Sequence, residues 1–199
     1  MTLVLASKSA SRKAMLTAAG IAFEAVPADL DERAIERKLA DESAAKVAEG
    51  LSVAKALAVA RDYPDDLVLG SDSLVVVDGR RFDKPDSREE AVEHLRFFSG
   101  RTMELHSGAA LVRGGEVLWR VSKVARLAVR RLDEAFIEAY LDAEWPEVGH
   151  CVGVFRIEGR GVHLFESIEG DQFTVLGMPL LEVLVALRQH GASGRGLLR

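Results

Sequence analysis

The opening of the chain constrains the fold most, because it joins a buried strand to a polar loop and a helix. The apolar run 3–5 predicts a buried strand. Hydroxyl and cationic side chains follow it: Ser7, Ser9, Ser11, Arg12 and Lys13. The apolar-periodic segment 14–19, closed by Gly20, predicts a helix with a serine near its start and a glycine just past its end.

This strand–loop–helix segment predicts a phosphate site. The first N–H groups of a helix point outward, and the helix dipole, serine hydroxyls and an arginine all favour an anion there. The G-x-x-x-x-G-K-[S/T] pattern of a P-loop is absent. A plainer interpretation stays open at this point, in which the serines only cap the helix and Arg12 is solvated.

Length and charge narrow the class of protein. A chain of 199 residues fits one large domain or two small lobes that share a sheet. The net charge of −5 argues against broad nucleic-acid binding, yet it allows a local basic pocket for a small anion. With Cys151 alone, no intramolecular disulfide can form, which fits a reducing compartment. No signal peptide or membrane-spanning stretch is evident, so we expect a cytoplasmic protein that binds no membrane.

The remaining chain alternates strand and helix patterns. Strands are predicted at 21–26, 67–70, 74–77, 80–82, 102–112, 117–129 and 162–168, and helices at 33–39, 43–60, 87–99, 134–143 and 179–189. We expect strand 67–70 to deliver Ser71, Asp72 and Ser73 at its carboxyl end. The predicted fold is α/β, a mixed twisted sheet with flanking helices in two lobes around a central cleft. It forms a single domain over 1–191, with a flexible tail at 192–199.

Charged residues at the ends of these elements suit a nucleotide substrate. Cations for a polyphosphate and carboxylates for a metal ion or an attacking water are Arg12, Lys13, Glu32, Lys55, Asp72 and Lys84. Ser7 and Ser9 lie in the same loop as Arg12 and Lys13, so we place both serines with the cations that would bind phosphate.

Short motifs in a fixed order carry a family resemblance. They include Leu5-Ala6-Ser7-x-Ser9 with Arg12, then Asp31-Glu32, Lys55-Ala56, Gly70-Ser71-Asp72, Lys84-Pro85, Ser99-Gly100, Glu169-Gly170-Asp171 and Leu176-Gly177-Met178-Pro179-Leu180. Each is weak alone, but together they span nearly the whole chain. In this order they resemble the Maf family of nucleoside triphosphate pyrophosphatases.

The resemblance implies a fold, a reaction and a set of residues. The fold would be Maf- or inosine triphosphatase-like, and the reaction would hydrolyse a nucleoside triphosphate to the monophosphate and diphosphate with a divalent cation (Mg²⁺, Mn²⁺ or Co²⁺). Asp72 matches the catalytic proton acceptor, and Glu32 matches an acidic residue near the metal beside Asp72. The residues that match the phosphate side are Ser7, Arg12, Lys55 and Lys84.

The same resemblance places base selection at Ser11, Ser73 and Glu158, where the first two are smaller than is usual in the family. The branch that acts on 7-methyl-GTP carries glutamate at the position of Glu158, whereas the dTTP/UTP branch carries glutamine. A carboxylate only accepts hydrogen bonds, and the N1–H and N2–H₂ edge of guanine only donates. A 7-methylated guanine is also cationic, which favours a carboxylate further. We therefore expect a guanine-type substrate, with 7-methyl-GTP as the candidate.

Other functions stay open. One is a dTTP/UTP pyrophosphatase of the same family, and another is a nucleotide-binding regulator of septum formation. A phosphatase or kinase of another fold is disfavoured, because the P-loop and kinase signatures are missing. A homodimer is expected only because twofold dimers are the commonest oligomers.

Overall fold

The computed structural model describes residues 2–191. Within them the strands are β1 Leu3–Ala6, β2 Glu24–Ala25, β3 Leu67–Val77, β4 Arg80–Phe82, β5 Thr102–Arg113, β6 Glu116–Val129 and β7 Phe165–Glu169. The helices in the same range are α1 Ala10–Ala18, α2 Glu32–Lys38, α3 Ala44–Ala60, α4 Arg88–Phe98, α5 Glu134–Glu144, α6 Gln172–Val175 and α7 Leu180–Gln189. The predicted tail, 192–199, lies outside the described residues.

The strands form one mixed sheet in the order β2-β1-β3-β5-β6-β7, with β4 paired to β3. β1 runs parallel to both β2 and β3, whereas the β3–β4 and β6–β7 pairs are antiparallel. Ala6 and Gly70 are the last partners along the β1–β3 pair. The predicted α/β class with a mixed sheet and flanking helices is therefore confirmed.

The chain divides into two compact units. Unit 1 takes the described residues of Met1–Ser73, His106–Lys123 and Asp171–Arg199, and unit 2 takes Leu74–Leu105 and Val124–Gly170.

In unit 1 the alternation of strand side chains builds two apolar layers. Leu3 and Leu5 of β1 face a core that includes residues of α1 and α7. Val4 and Ala6 face the opposite way, against residues of α3. Both faces of the central strands are thus covered by helices, which explains why β1 and the start of β3 are continuous apolar runs.

In unit 2 an aromatic cluster links β4 to α4. The Phe82 ring packs edge-on against the rings of His94 and Phe98, with centroids 5.0 and 4.8 Å away. The Asp78-Gly79 turn between β3 and β4 has positive φ at both residues, 50° and 74°. That is the two-residue hairpin predicted for this dipeptide.

Short polar residues cap most of the helix starts. Ser9, Ser43, Ser87 and Asp133 each accept a hydrogen bond from a backbone N–H in the first turn of α1, α3, α4 and α5. Gly20, just past α1, has a φ of +71°, as expected for a residue that ends a helix.

The structure corrects three strand boundaries and adds one helix. Strand 67–70 does not end before Ser71, because β3 continues to Val77 and pairs with β4 there, so Ser71, Asp72 and Ser73 lie inside the strand. Strand 21–26 shrinks to β2, since the Ile21 N–H is bound to the carbonyl of Leu16 at the end of α1. Strand 162–168 begins only at Phe165, because Arg160–Leu164 form a 3₁₀ turn. The short helix α6 was not predicted.

No helix in residues 2–191 is both long and apolar enough to cross a membrane.

Candidate functional site

Polar side chains of unit 1 gather where β1 ends. Ser7 follows β1 directly, and the loop from it leads to the first turn of α1, which carries Arg12. On the neighbouring strand β3, Asp72 lies two residues beyond Gly70, the last partner of β1. Because β1 ends opposite Gly70, β3 has no β1 partner beside Asp72. That leaves space for these side chains.

The serines of the loop hold the start of α1. The Ser7 hydroxyl is buried and accepts hydrogen bonds from the Ser9 N–H and from Nη1 of Arg12, both at 3.2 Å. Ser9 caps α1 by accepting from the Arg12 N–H, and its hydroxyl lies 2.9 Å from that of Ser11. The capping interpretation is thus correct for Ser9, but the alternative of a solvated Arg12 is wrong.

Arg12 is a buried cation without a carboxylate partner. Its exposed fraction is 9%, and within residues 2–191 no Asp or Glu oxygen forms an ion pair with it. The guanidinium instead donates to neutral oxygens: Nε to the Gly177 carbonyl at 2.9 Å, Nη1 to Ser7, and Nη2 to the Ser73 hydroxyl at 3.0 Å. Burial lowers the pKa of Arg12, and the charges of Asp72 and Glu32 oppose that shift.

Lys55 of α3 bridges the two carboxylates of the predicted set. Its Nζ lies 2.5 Å from Oδ1 of Asp72 and 3.2 Å from Oε2 of Glu32. The side chains of Lys55 and Asp72 are 13% and 10% exposed, whereas that of Glu32 is 45% exposed. Glu32 reaches the site from the first turn of α2, which begins after the capping residue Asp31.

Close packing of α3 on the sheet brings Lys55 to Asp72. A Cβ added at Gly70 would lie 2.0 Å from the carbonyl oxygen of Ser52, and one added at Gly108 would lie 2.5 Å from that of Ala48. Both contacts involve the backbone of α3, so only glycine fits at these two strand positions. The glycine in the predicted Gly70-Ser71-Asp72 motif therefore has a packing role.

The carboxylates fit a divalent cation that also binds phosphate. Within the described residues no group of three or more His, Cys, Asp or Glu side chains could hold a metal by itself. Mg²⁺, however, often takes one or two protein carboxylates and completes its shell with water and substrate phosphates. Asp72 and Glu32 each bind Lys55 through one oxygen, which leaves the second oxygen of each carboxylate for such an ion.

Three predicted site residues are not tied to this group. Lys13 is half-buried on α1, and in the part of the chain that the structure describes it makes no ion pair with the others. Lys84 and Glu158 are exposed and belong to unit 2, where both act on the thiol of Cys151. Burial raises the pKa of Cys151, Glu158 raises it further, and Lys84 opposes that rise. The phosphate role of Lys84 and the base role of Glu158 stay predictions.

Three polar groups of this region were not predicted from the sequence, and Ser71 was placed here without a role. Ser71 donates to the carbonyl of Gly108, Ser107 lies within 3.1 Å of Ser73, and the carbonyls of Gly177 and Thr174 accept side-chain hydrogen bonds. Ser71 could have been linked to Ser73, since residues two apart on a strand share a face. Gly177 lies in a motif that carried the resemblance, but no role follows from the motif itself.

A family model described as "Maf-like protein" matches residues 2–190. The chain belongs to the Maf family. A nucleoside triphosphate pyrophosphatase of Nitrobacter hamburgensis is 48% identical over 189 residues, which cover 95% of this chain and 94% of the relative. A 7-methyl-GTP pyrophosphatase of Rhizobium meliloti is 46% identical over 192 residues, which cover 96% of each chain. The predicted family is therefore confirmed, and the names of these Maf relatives agree with the predicted reaction class.

Among solved structures, the Maf chain aligns with a nucleoside-triphosphatase described as a dITP/XTP pyrophosphatase from Mycobacterium abscessus. The TM-score is 0.42 and the identity 19%, over 66% of this chain and 76% of that one. This likeness is too slight to bear on function.

Proposed function

We propose that this Maf-family chain hydrolyses a nucleoside triphosphate to the monophosphate and diphosphate. The observation that carries the proposal is the buried guanidinium of Arg12, which has no ion-pairing carboxylate among residues 2–191. Burying a cation without an ion-pairing partner is unfavourable, and the charges of Asp72 and Glu32 act on Arg12 without forming an ion pair with it. A phosphate group at the start of α1 would bring negative charge into direct contact with the guanidinium, and both the helix dipole and the Ser7 hydroxyl favour it there.

The reaction breaks the anhydride bond between the α- and β-phosphates. A water oxygen forms the new bond to phosphorus, the bridging oxygen leaves with the diphosphate, and Asp72 takes the proton from the water. Lys55, hydrogen-bonded to Oδ1 of Asp72, holds that carboxylate in place. The second oxygen of Asp72 has two lone pairs, so it can accept the proton of the water on one and face a cation with the other. Arg12 neutralises part of the negative charge of the phosphates. The sequence assigns Ser9, Lys13 and Lys84 to phosphate binding as well.

A divalent cation, Mg²⁺, Mn²⁺ or Co²⁺, held by Asp72 and Glu32 together with phosphate oxygens, would polarise the phosphoryl group.

The proposed substrate is a guanine nucleotide, 7-methyl-GTP above others. Glu158 supports this choice, because its carboxylate can accept from the donor edge of guanine and attract the cationic 7-methylated ring. Relatives from Rhizobium meliloti and Mesorhizobium japonicum, 46% and 47% identical, carry the name 7-methyl-GTP pyrophosphatase. The alternative substrates are dTTP and UTP, for which an amide at this position would be the better partner.

Diphosphate release from 7-methyl-GTP, GTP, dTTP, UTP and CTP, each with Mg²⁺, Mn²⁺ or Co²⁺, tests the proposal. We expect the highest turnover on 7-methyl-GTP and loss of turnover in Asp72→Asn. Asp29→Asn, which removes an exposed carboxylate in the loop before α2, is the matched control and should retain activity. An Asp72→Asn variant with near-normal kcat would refute the catalytic assignment.

A preference for dTTP and UTP would show instead that groups other than Glu158 select the base. Binding of nucleotides without hydrolysis would favour the regulator of septum formation. Action in the cytoplasm and assembly into a homodimer belong to the proposal as well, and sedimentation of the purified chain tests the second.

A further inference from the structure

The carbonyl oxygen of Gly177 is a shared acceptor in unit 1. It lies 2.9 Å from Nε of Arg12, 2.9 Å from the Ser73 hydroxyl and 3.2 Å from the Ser71 hydroxyl. Gly177 has a φ of +99°, and a Cβ added there would lie 3.0 Å from the Ser73 hydroxyl oxygen. Glycine is therefore required for this carbonyl to face Arg12 and Ser73 at the same time.

The hydrogen-bond distances limit where the protons of the Ser73 and Ser107 hydroxyls can lie. Ser107 donates its single proton to the Thr174 carbonyl at 2.8 Å, so it can only accept from Ser73. Ser73 in turn donates to either the Gly177 carbonyl or Ser107. In both cases the oxygen of Ser73 keeps a lone pair for Nη2 of Arg12, 3.0 Å away.

The guanidinium of Arg12 is consequently held on three sides. Of the five N–H donors of an arginine, Nε–H is bound by Gly177, one on Nη1 by Ser7 and one on Nη2 by Ser73. One N–H on each of Nη1 and Nη2 is left over, which suits two oxygens of the same phosphate group.

We propose that Ser73 is a positioning residue for the triphosphate, which it aligns by holding Nη2 of Arg12 together with the Gly177 carbonyl. This inference rests on the proposed function, in which Arg12 binds phosphate. It differs from the base-selecting role that the family resemblance implies for Ser73, because a residue acting through Arg12 affects every nucleotide equally. The two roles therefore predict different kinetics.

The test measures kcat and KM of Ser73→Ala on 7-methyl-GTP, GTP, dTTP and UTP. Loss of a hydrogen bond to a charged group should lower kcat/KM about tenfold, mainly through KM, and by the same factor for each base. Ser73→Thr keeps the hydroxyl and should recover most of the loss. Ser52→Ala removes a buried hydroxyl of α3 that donates to the Ala48 carbonyl and contacts neither Arg12 nor Gly177, and should change kcat/KM less than about twofold.

A second measurement places Ser73→Ala in an Arg12→Lys background. There the added loss should be less than about twofold, since two residues that act through one interaction are not additive. A factor that differs between bases, or an undiminished loss in the Arg12→Lys background, would overturn the inference. If Ser73→Ala fails to fold in a thermal melt, Ser73→Cys gives the same comparison with a weaker acceptor of similar size.

The outcome for Arg12→Lys alone separates this inference from the proposed function. An unchanged KM in that variant would mean that Arg12 does not bind the phosphates, and the proposed function would lose its main support. A raised KM without coupling to Ser73 would leave the proposed function standing and remove only the positioning role.

Discussion

Replacing Lys55 with methionine removes the cation that Asp72 and Glu32 share. Removing one partner of a buried ion pair costs about 3–5 kcal/mol, because the other charge is left buried and unpaired. The side chains of Lys55 and Asp72 are only 13% and 10% exposed, so this pair is close to a fully buried ion pair. Glu32 is 45% exposed, so its contact adds only about 0–1 kcal/mol. We expect the free energy of unfolding at pH 7 to fall by about 3 kcal/mol. This value is the lower end of the range for buried pairs, because some solvent reaches Lys55 and Asp72.

The same helix offers a matched control. Lys46 of α3 also pairs with a carboxylate, its Nζ 3.3 Å from Oε1 of Glu49, but the lysine side chain is 59% exposed. Lys46→Met should therefore cost less than about 1 kcal/mol. Urea unfolding measures both variants, with equal m-values expected. In thermal melts the loss at Lys55 corresponds to a Tm lower by roughly 6–12 °C for a chain of this size.

A double variant tests the reason for the loss. Lys55→Met combined with Asp72→Asn removes the unpaired charge as well as the cation, so it should be more stable than Lys55→Met alone. The reasoning fails if Lys55→Met costs no more than Lys46→Met, or if the double variant is as unstable as the single one.

Three further predictions concern other groups. Gly70→Ala places a methyl group against the backbone of α3 and should lower the free energy of unfolding by about 3 kcal/mol in urea; a loss below about 1 kcal/mol would contradict the packing. Burial lowers the pKa of His94 in the folded state, so the contribution of this residue to stability should be constant above pH 6.5 and be lost as the pH falls through the lowered pKa. That loss should be reduced in His94→Leu, and an identical pH profile would refute it. Alkylation of Cys151 by iodoacetamide at pH 8 should be slow and become faster in Glu158→Gln, because the carboxylate raises the pKa of the thiol; an unchanged rate would contradict that influence.

Elements with their own local signals could be predicted from the sequence. Serines cap α1, α3 and α4, glycines follow the ends of α1 and α4, and the Asp78-Gly79 dipeptide marks its hairpin. The error that matters most for the site falls where pairing with distant strands decides the outcome. Polar Ser71, Asp72 and Ser73 resemble a loop locally, but β3 continues through them because its partners extend past the end of β1.

The candidate site divides in the same way. Arg12, Lys55 and Asp72 could be selected because their charges suit phosphate, and the structure brings them together with Glu32. The acceptor that holds Arg12 could not be selected, since it is a backbone carbonyl and every residue has one. Its location depends on the positive φ of Gly177, 165 residues further along the chain.

The chain passes between its two units four times, after Ser73, Leu105, Lys123 and Gly170. Three of these crossings lie inside strands β3, β5 and β6. A single cleavage of the backbone therefore cannot release either unit whole, and neither could have been gained or lost as a terminal fusion. To encode unit 1 without unit 2, a gene would have to connect residue 73 to residue 106 and residue 123 to residue 171. Two short linkers would then replace the two long segments of unit 2.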